Sequence, residues 1–161
     1  MTGASIGPPD GVGAGMGYDS KRQVIWLVRA KGSAVYRYDM KTGTVKLVSS
    51  SQSIKNAFPR DLWYVSAIDM MLCATRLQSS DGTKVGNLAF DIYQGRWVGL
   101  VMPVAQGKDW VGSSVQDMQG LTLVYDPGEN LALFAASMSG ADIRVARMAQ
   151  DGLKKFHIPD K

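Results

Sequence analysis

Along the chain, short apolar stretches alternate with polar breaks rich in glycine, and no stretch sustains a 3.6-residue period. In several stretches apolar and polar positions alternate singly. Val35, Tyr36, Arg37, Tyr38 and Ile143, Arg144, Val145, Ala146, Arg147 fall on opposite faces of an extended strand. "VIWLV" and "LALFAA" are instead apolar throughout, the pattern of strands covered on both faces. The breaks carry turn chemistry: Asp19-Ser20-Lys21-Arg22, Lys31-Gly32-Ser33, Asp126-Pro127-Gly128-Glu129 and Ser139-Gly140-Ala141. Glycine allows positive φ, proline presets φ, and Asp or Ser accepts bonds from the backbone ahead of it. The pattern predicts strands from end to end, and an all-β fold.

The stretches repeat. Gly43 closes "YDMKTG", Gly95 closes "FDIYQG" and Gly152 closes "MAQDG", at separations of 52 and 57 residues. A second series, Asp19 in "GMGYD", Asp69 in "VSAID" and Asp126 in "TLVYD", is spaced by 50 and 57. Two marker series of nearly one period define three units, approximately 11–50, 62–104 and 115–159, in a single domain of 161 residues. Each divides into four strands: "VGAGMGYD", "QVIWLVRA", "AVYRYDM", "TVKLVSS"; "LWYVSAID", "MMLCATRL", "GNLAFDI", "RWVGLVMPV"; and "QGLTLVYD", "NLALFAASM", "DIRVARMA", "LKKFHIP". The connections 50–61 and 105–119 are expected to be loops.

Four antiparallel strands per unit is the signature of propeller blades. In "GAGMGYDSKRQVIWLV", "AVYRYDMKTGTVKLV", "GNLAFDIYQGRWVGLVMP" and "GLTLVYDPGENLALFAAS" the chain resembles the kelch-like β-propeller repeat family. The resemblance implies three four-stranded antiparallel propeller-like blades, with Trp97 at the outer-strand tryptophan position. Closed propellers need about four to eight blades. Three blades therefore imply half of a six-bladed ring completed by a second chain, or docking in a larger assembly. The alternative is a β-sandwich or barrel with evenly spaced hairpins.

Composition narrows the chemistry. The 18 glycines suit many turns, and the net charge of +4 is mild. Lys21-Arg22 and Lys154-Lys155 are the densest basic pairs; they are expected to be solvated, and no nucleic-acid partner is expected. Cys73 is the one cysteine, which excludes an internal disulfide, and it is expected to be a buried small hydrophobe. The N-terminus lacks the layout of a signal peptide, and no apolar run approaches a membrane span of about 20 residues. A cytoplasmic or virion-associated protein without a membrane partner is the expectation. His157 is the one histidine, so a multi-histidine metal site or a His-paired nucleophile cannot be built within one chain. Copper-oxidase activity, known among kelch-like propellers, lacks its ligands here; no cofactor and no catalytic residue are expected.

The candidate ligand-binding residues are Trp110, Asp19, Asp69 and Asp126. The three aspartates, read as ending equivalent inner strands, would gather at one mouth of a ring and there bind a cation or a polyol. The competing reading makes each the acceptor of its own turn. Trp110, in "GKDWVGSS", lies in a long connection, where binding groups concentrate. The other tryptophans are expected to wedge between sheets. "SSDGT" at 79–83 reads as a hairpin turn, and "GVGAG" at 11–15 as a crowded innermost strand or an entry segment rather than a phosphate cradle. The functional expectation is a non-catalytic structural or interaction module that self-associates as a homodimer or docks on another protein, a virion component being one such role. The alternative is a carbohydrate-binding module using loop aromatics. A carboxylate hydrolase is the weakest reading, because no two acids can be paired.

Overall fold

The computed structural model describes residues 15–28, 34–50, 54, 62–78, 82, 85–101, 121–136, 142–148 and 153–160. These form β1 (Gly15–Asp19), β2 (Val24–Val28), β3 (Val35–Asp39), β4 (Thr44–Ser49), β5 (Leu62–Val65), β6 (Met70–Gln78), β7 (Val85–Asp91), β8 (Arg96–Val101), β9 (Leu121–Asp126), β10 (Leu131–Ala136), β11 (Asp142–Arg147) and β12 (Lys154–His157). Among the described residues there is no helix, and every strand pairing is antiparallel. The all-β expectation holds, and each of the twelve stretches carries a strand.

Sheet one runs β1-β2-β3-β4, sheet three runs β11-β10-β9, and sheet two runs β12-β8-β7-β6-β5. Where the turns are described, the hairpins form at the turn residues; Lys31-Gly32-Ser33 and Ser139-Gly140-Ala141 lie outside the described residues. In the β3–β4 turn Asp39 Oδ1 accepts bonds from the Lys41 and Thr42 amides, and Gly43, at φ 66°, donates its amide to the Asp39 carbonyl at 2.8 Å. The β7–β8 turn repeats this: Gln94 donates to Asp91 Oδ1, and Gly95, also at φ 66°, donates to the Asp91 carbonyl at 2.8 Å. Asp39 and Asp91 are turn-makers.

One strand is not where the repeat places it. The repeat makes "LKKFHIP" the fourth strand of the third unit, but β12 pairs with β8, the last strand of the second. Complementary shape explains the choice. Phe156 lies opposite Gly99, and any side chain on Gly99 would collide with the Phe156 ring, so the glycine leaves the space that the phenyl group fills. Lys155 Nζ reaches Asp91 Oδ2 at 2.7 Å, and Arg96 Nη2 meets His157 Nδ1 at 2.8 Å. Ile158 follows into the core. The described sheets therefore have four, five and three strands rather than four each.

Sheet two lies between the others, and two cores result. Val24, Trp26, Val28 and Val35 of sheet one pack on Tyr64, Met71, Leu88, Phe90 and Trp97 of sheet two. On the opposite side, Val65, Met70, Leu72, Ala89 and Leu100 pack with Tyr125 and Ala132 of sheet three. Trp26 meets Phe90 with ring centroids 5.6 Å apart, and Phe90 meets Trp97 edge-on at 5.2 Å, the tilted geometry that aromatic quadrupoles favour. These two tryptophans are wedges between sheets, and Cys73 is buried in the same core.

Candidate functional site

The turns that follow the edge strands β1, β5 and β9 set the geometry where the sheets meet. Each is closed by a residue of positive φ: Gln23 at 55°, Asp69 at 53° and Asn130 at 54°. The next residue opens the second strand, at Val24, Met70 and Leu131. These edge strands end four residues before the positive-φ residue, at Asp19, Val65 and Asp126. Asp69 is thus not the counterpart of Asp19 and Asp126, as the spacing had it; its counterparts are Gln23 and Asn130. "AID" resembles "GYD" in composition, but the strand stops at Val65 and Ser66-Ala67-Ile68-Asp69 is the turn. Aspartate suits that last position because short polar side chains tolerate a left-handed backbone.

Asp19 is fully buried. Its Oδ1 accepts the Lys21 and Arg22 amides at 3.0 Å, and its Oδ2 accepts Arg22 Nη1 at 2.9 Å and Trp26 Nε1 at 3.3 Å. The same guanidinium crosses to sheet two: Nη1 donates to Asp69 Oδ1 at 2.7 Å and Nη2 to Asp69 Oδ2 at 2.8 Å. Tyr64 Oη adds a 2.9 Å bond to Asp69 Oδ1, and Lys21 Nζ one of 3.0 Å to Oδ2. Arg22 holds the Asp69 carboxyl well below the usual carboxylate range, helped by Lys21 and Tyr64. The Tyr64 phenol is pushed up, first by burial and then by its bond to Asp69. Arg22, held chiefly by Asp69, stays charged at any working pH.

Lys21-Arg22 is therefore only half the solvated pair its sequence pointed to. Lys21 is well exposed, but Arg22 is partly buried between two carboxylates. Lys155 likewise bridges to the buried Asp91.

A second lock joins sheets two and three at the equivalent place. Tyr125, like Tyr64, stands one residue before the strand end, and its hydroxyl donates to Asn130 Oδ1 at 2.9 Å. The same oxygen lies 3.2 Å from Ser66 Oγ and accepts the Ala67 amide at 3.4 Å, both from the sheet-two turn. In both junctions a tyrosine reaches its own positive-φ residue, and the turn of the preceding sheet closes on the pair. The sequence signal was the recurrence of Tyr18, Tyr64 and Tyr125, visible only once the turns are aligned by conformation rather than by their aspartates.

Beside these locks a groove of about 480 Å³ touches all three sheets and is lined by Met16, Tyr18, Trp63, Tyr64, Tyr125 and Pro127, among others. Tyr18 and Trp63 are its exposed aromatics. The structure brings Asp19 and Asp69 together through Arg22. Asp126 stays apart, exposed, with its Oδ1 accepting the Gly128 and Glu129 amides. Trp110 lies outside the described residues, as do most of "GVGAG" and "SSDGT".

Chemically, this arrangement fastens sheets together. The carboxylates of Asp19 and Asp69 are occupied by a permanent cation, and Asp69 is held far from the range where it would exchange protons near neutrality. Among the described residues, no group of three or more His, Cys, Asp or Glu is placed to hold a metal ion. No protein-family model and no curated protein matches this chain.

Proposed function

We propose that this chain is a non-catalytic structural or interaction module, three kelch-like propeller blades in an arc whose uncovered flanks dock on other protein, as in a virion or another large assembly. The observation that carries this reading is the outward face of sheet one. Strand register lines up two rows across it, Met16-Leu27-Tyr36-Leu47 and Tyr18-Ile25-Tyr38-Val45. None of the eight is charged, all are at least partly exposed, and Met16 reaches 63%. A continuous uncharged face of this kind marks an interaction surface on a soluble protein.

The experiment is fluorescence of an apolar dye together with light-scattering mass over a concentration series. The reading expects dye binding or association, either one abolished by Leu47→Lys. A monomer that binds no dye at any concentration overturns it.

The groove favours a second reading, a carbohydrate-binding module. Tyr18 and Trp63 present exposed aromatic surface to it, and aromatic faces stack on sugar rings. A glycan array decides: binding lost in Trp63→Ala supports the reading, and silence of the unaltered protein removes it.

A further inference from the structure

The two internal junctions are built alike. Let the forward face of each sheet be the one carrying the first residue after its inner turn, Val24, Met70 or Leu131. The forward face of sheet one packs on the rear face of sheet two, and the forward face of sheet two packs on the rear face of sheet three. Two faces then have no cover among the described residues: the rear of sheet one and the forward face of sheet three. They are the same two kinds of face that meet in both internal junctions.

Register makes the comparison residue by residue. The rear row of sheet two, Tyr64-Met71-Phe90-Trp97, is buried beneath sheet one. Its counterpart in sheet one is Tyr18-Ile25-Tyr38-Val45, of matching apolar and aromatic character but open, with Tyr18 at 51% exposure. On sheet three the forward row Val124-Leu133-Val145 is also open: Val124 and Val145 are exposed, Val145 at 55%, and Leu133 between them is partly exposed. Its one charged row, Asp126-Leu131-Arg147, lies at the turn end, and Arg147 is turned onto the Glu129 carbonyl at 3.0 Å.

The lock residues correspond too. Tyr18 and Gln23 stand where Tyr64 and Asp69, or Tyr125 and Asn130, stand in the closed junctions. Glu129 stands where Arg22 stands, on the turn that a preceding sheet offers. A carboxylate there suits a phenol and an amide, both donors, as the guanidinium of Arg22 suits Asp69.

We infer that a second copy of this chain completes the arc: the forward face of sheet three in each copy seats on the rear face of sheet one in the other. Glu129 of one copy accepts hydrogen bonds from Tyr18 and Gln23 of its partner. The inference rests on the interaction-module reading and names the partner. Two copies contribute six sheets, within the about four to eight that close a propeller, and a two-fold axis makes both new junctions identical. Both apolar flanks of the described sheets are then covered.

The test is native mass and sedimentation of the full chain. A dimer is expected, and Leu27→Asp and Leu133→Asp, on the two different faces, should each abolish it without changing the circular dichroism. Mixing the two variants should restore a heterodimer through the one junction that keeps two intact faces. At the lock, Glu129→Arg alone should weaken the dimer about tenfold or more. Adding Gln23→Asp transplants the Arg22–Asp69 pair and should recover that loss. A dimer broken by Leu27→Asp but indifferent to Leu133→Asp means sheet one meets sheet one; this overturns the ring and leaves the interaction module standing. A strict monomer that still binds apolar dye at Leu47 has the same consequence. A monomer that binds no dye removes both.

Discussion

Arg22, in the first turn of sheet one, grips Asp69, at the end of the equivalent turn in sheet two, through two parallel hydrogen bonds of 2.7 and 2.8 Å. The fork matches the carboxylate plane, and the Nη1 nitrogen also serves the buried Asp19. One side chain thus bridges two carboxylates from different sheets, and Lys21 supplies the second positive charge at Asp69.

Removing it should be costly. Arg22→Ala leaves the fully buried Asp19 without its cation; breaking a fully buried pair costs about 3–5 kcal/mol, and this part-buried pair should cost somewhat less. Arg22→Lys should recover only part of that, because one ammonium cannot make the fork. Urea unfolding of both variants checks the order; equal stability of Arg22→Ala and the unaltered protein would sink the account.

The lock gives stability a pH signature at both ends. Asp69 is depressed in the folded state, so its contribution is complete above the ordinary carboxylate value and drains away as pH falls from about 4 toward the lower folded value. Tyr64 is raised, so its contribution is complete below the ordinary phenol value and is lost as pH climbs above about 10. Asp69→Asn should flatten the acid limb of a melting-temperature profile, and Tyr64→Phe the alkaline limb.

The second lock predicts a contrast between two tyrosines. Tyr125→Phe removes a hydroxyl that serves Asn130, Ser66 and Ala67, and should cost about 1–2 kcal/mol. Tyr18→Phe, at an exposed position, should change monomer stability by no more than about 0.5 kcal/mol. Chemical denaturation at high dilution measures both.

Gly99→Val should drive β12 from β8 by filling the space of the Phe156 ring, an overpacking cost of about 1–3 kcal/mol. Hydrogen exchange should then show the β8 amides facing β12 losing protection, while sheet one keeps its own. Phe156→Ala in the same chain should relieve part of the clash, so the two substitutions should combine non-additively.

Strand positions were legible because alternation and turn residues act locally, and Asp39, Gly43, Asp91 and Gly95 do what those residue types do in any turn. The partner of β12 was not legible. "KKFH" fits any sheet edge, and the space at Gly99 that selects β8 is a property of a strand more than fifty residues away. The role of Arg22 is hidden in the sequence for a related reason. A Lys-Arg pair after a turn looks solvated until a carboxylate from another sheet is placed beside it. Asp69 stands out in the sequence, but its slot does not, since composition alone cannot separate a strand's last residue from a turn's last residue.

The pairing of β12 with β8 also bears on how the chain reaches this state. Sheet two is discontinuous: it begins at Leu62, is interrupted by the whole of sheet three, and is finished only by Lys154–His157. During synthesis the central layer stays incomplete until the last of these strands has emerged, so sheet two cannot be finished before sheet three has been made. Sheet three is bracketed in sequence by the sheet it packs on. Loosening either bracket should release it, which ties this layer to the cooperativity of the whole.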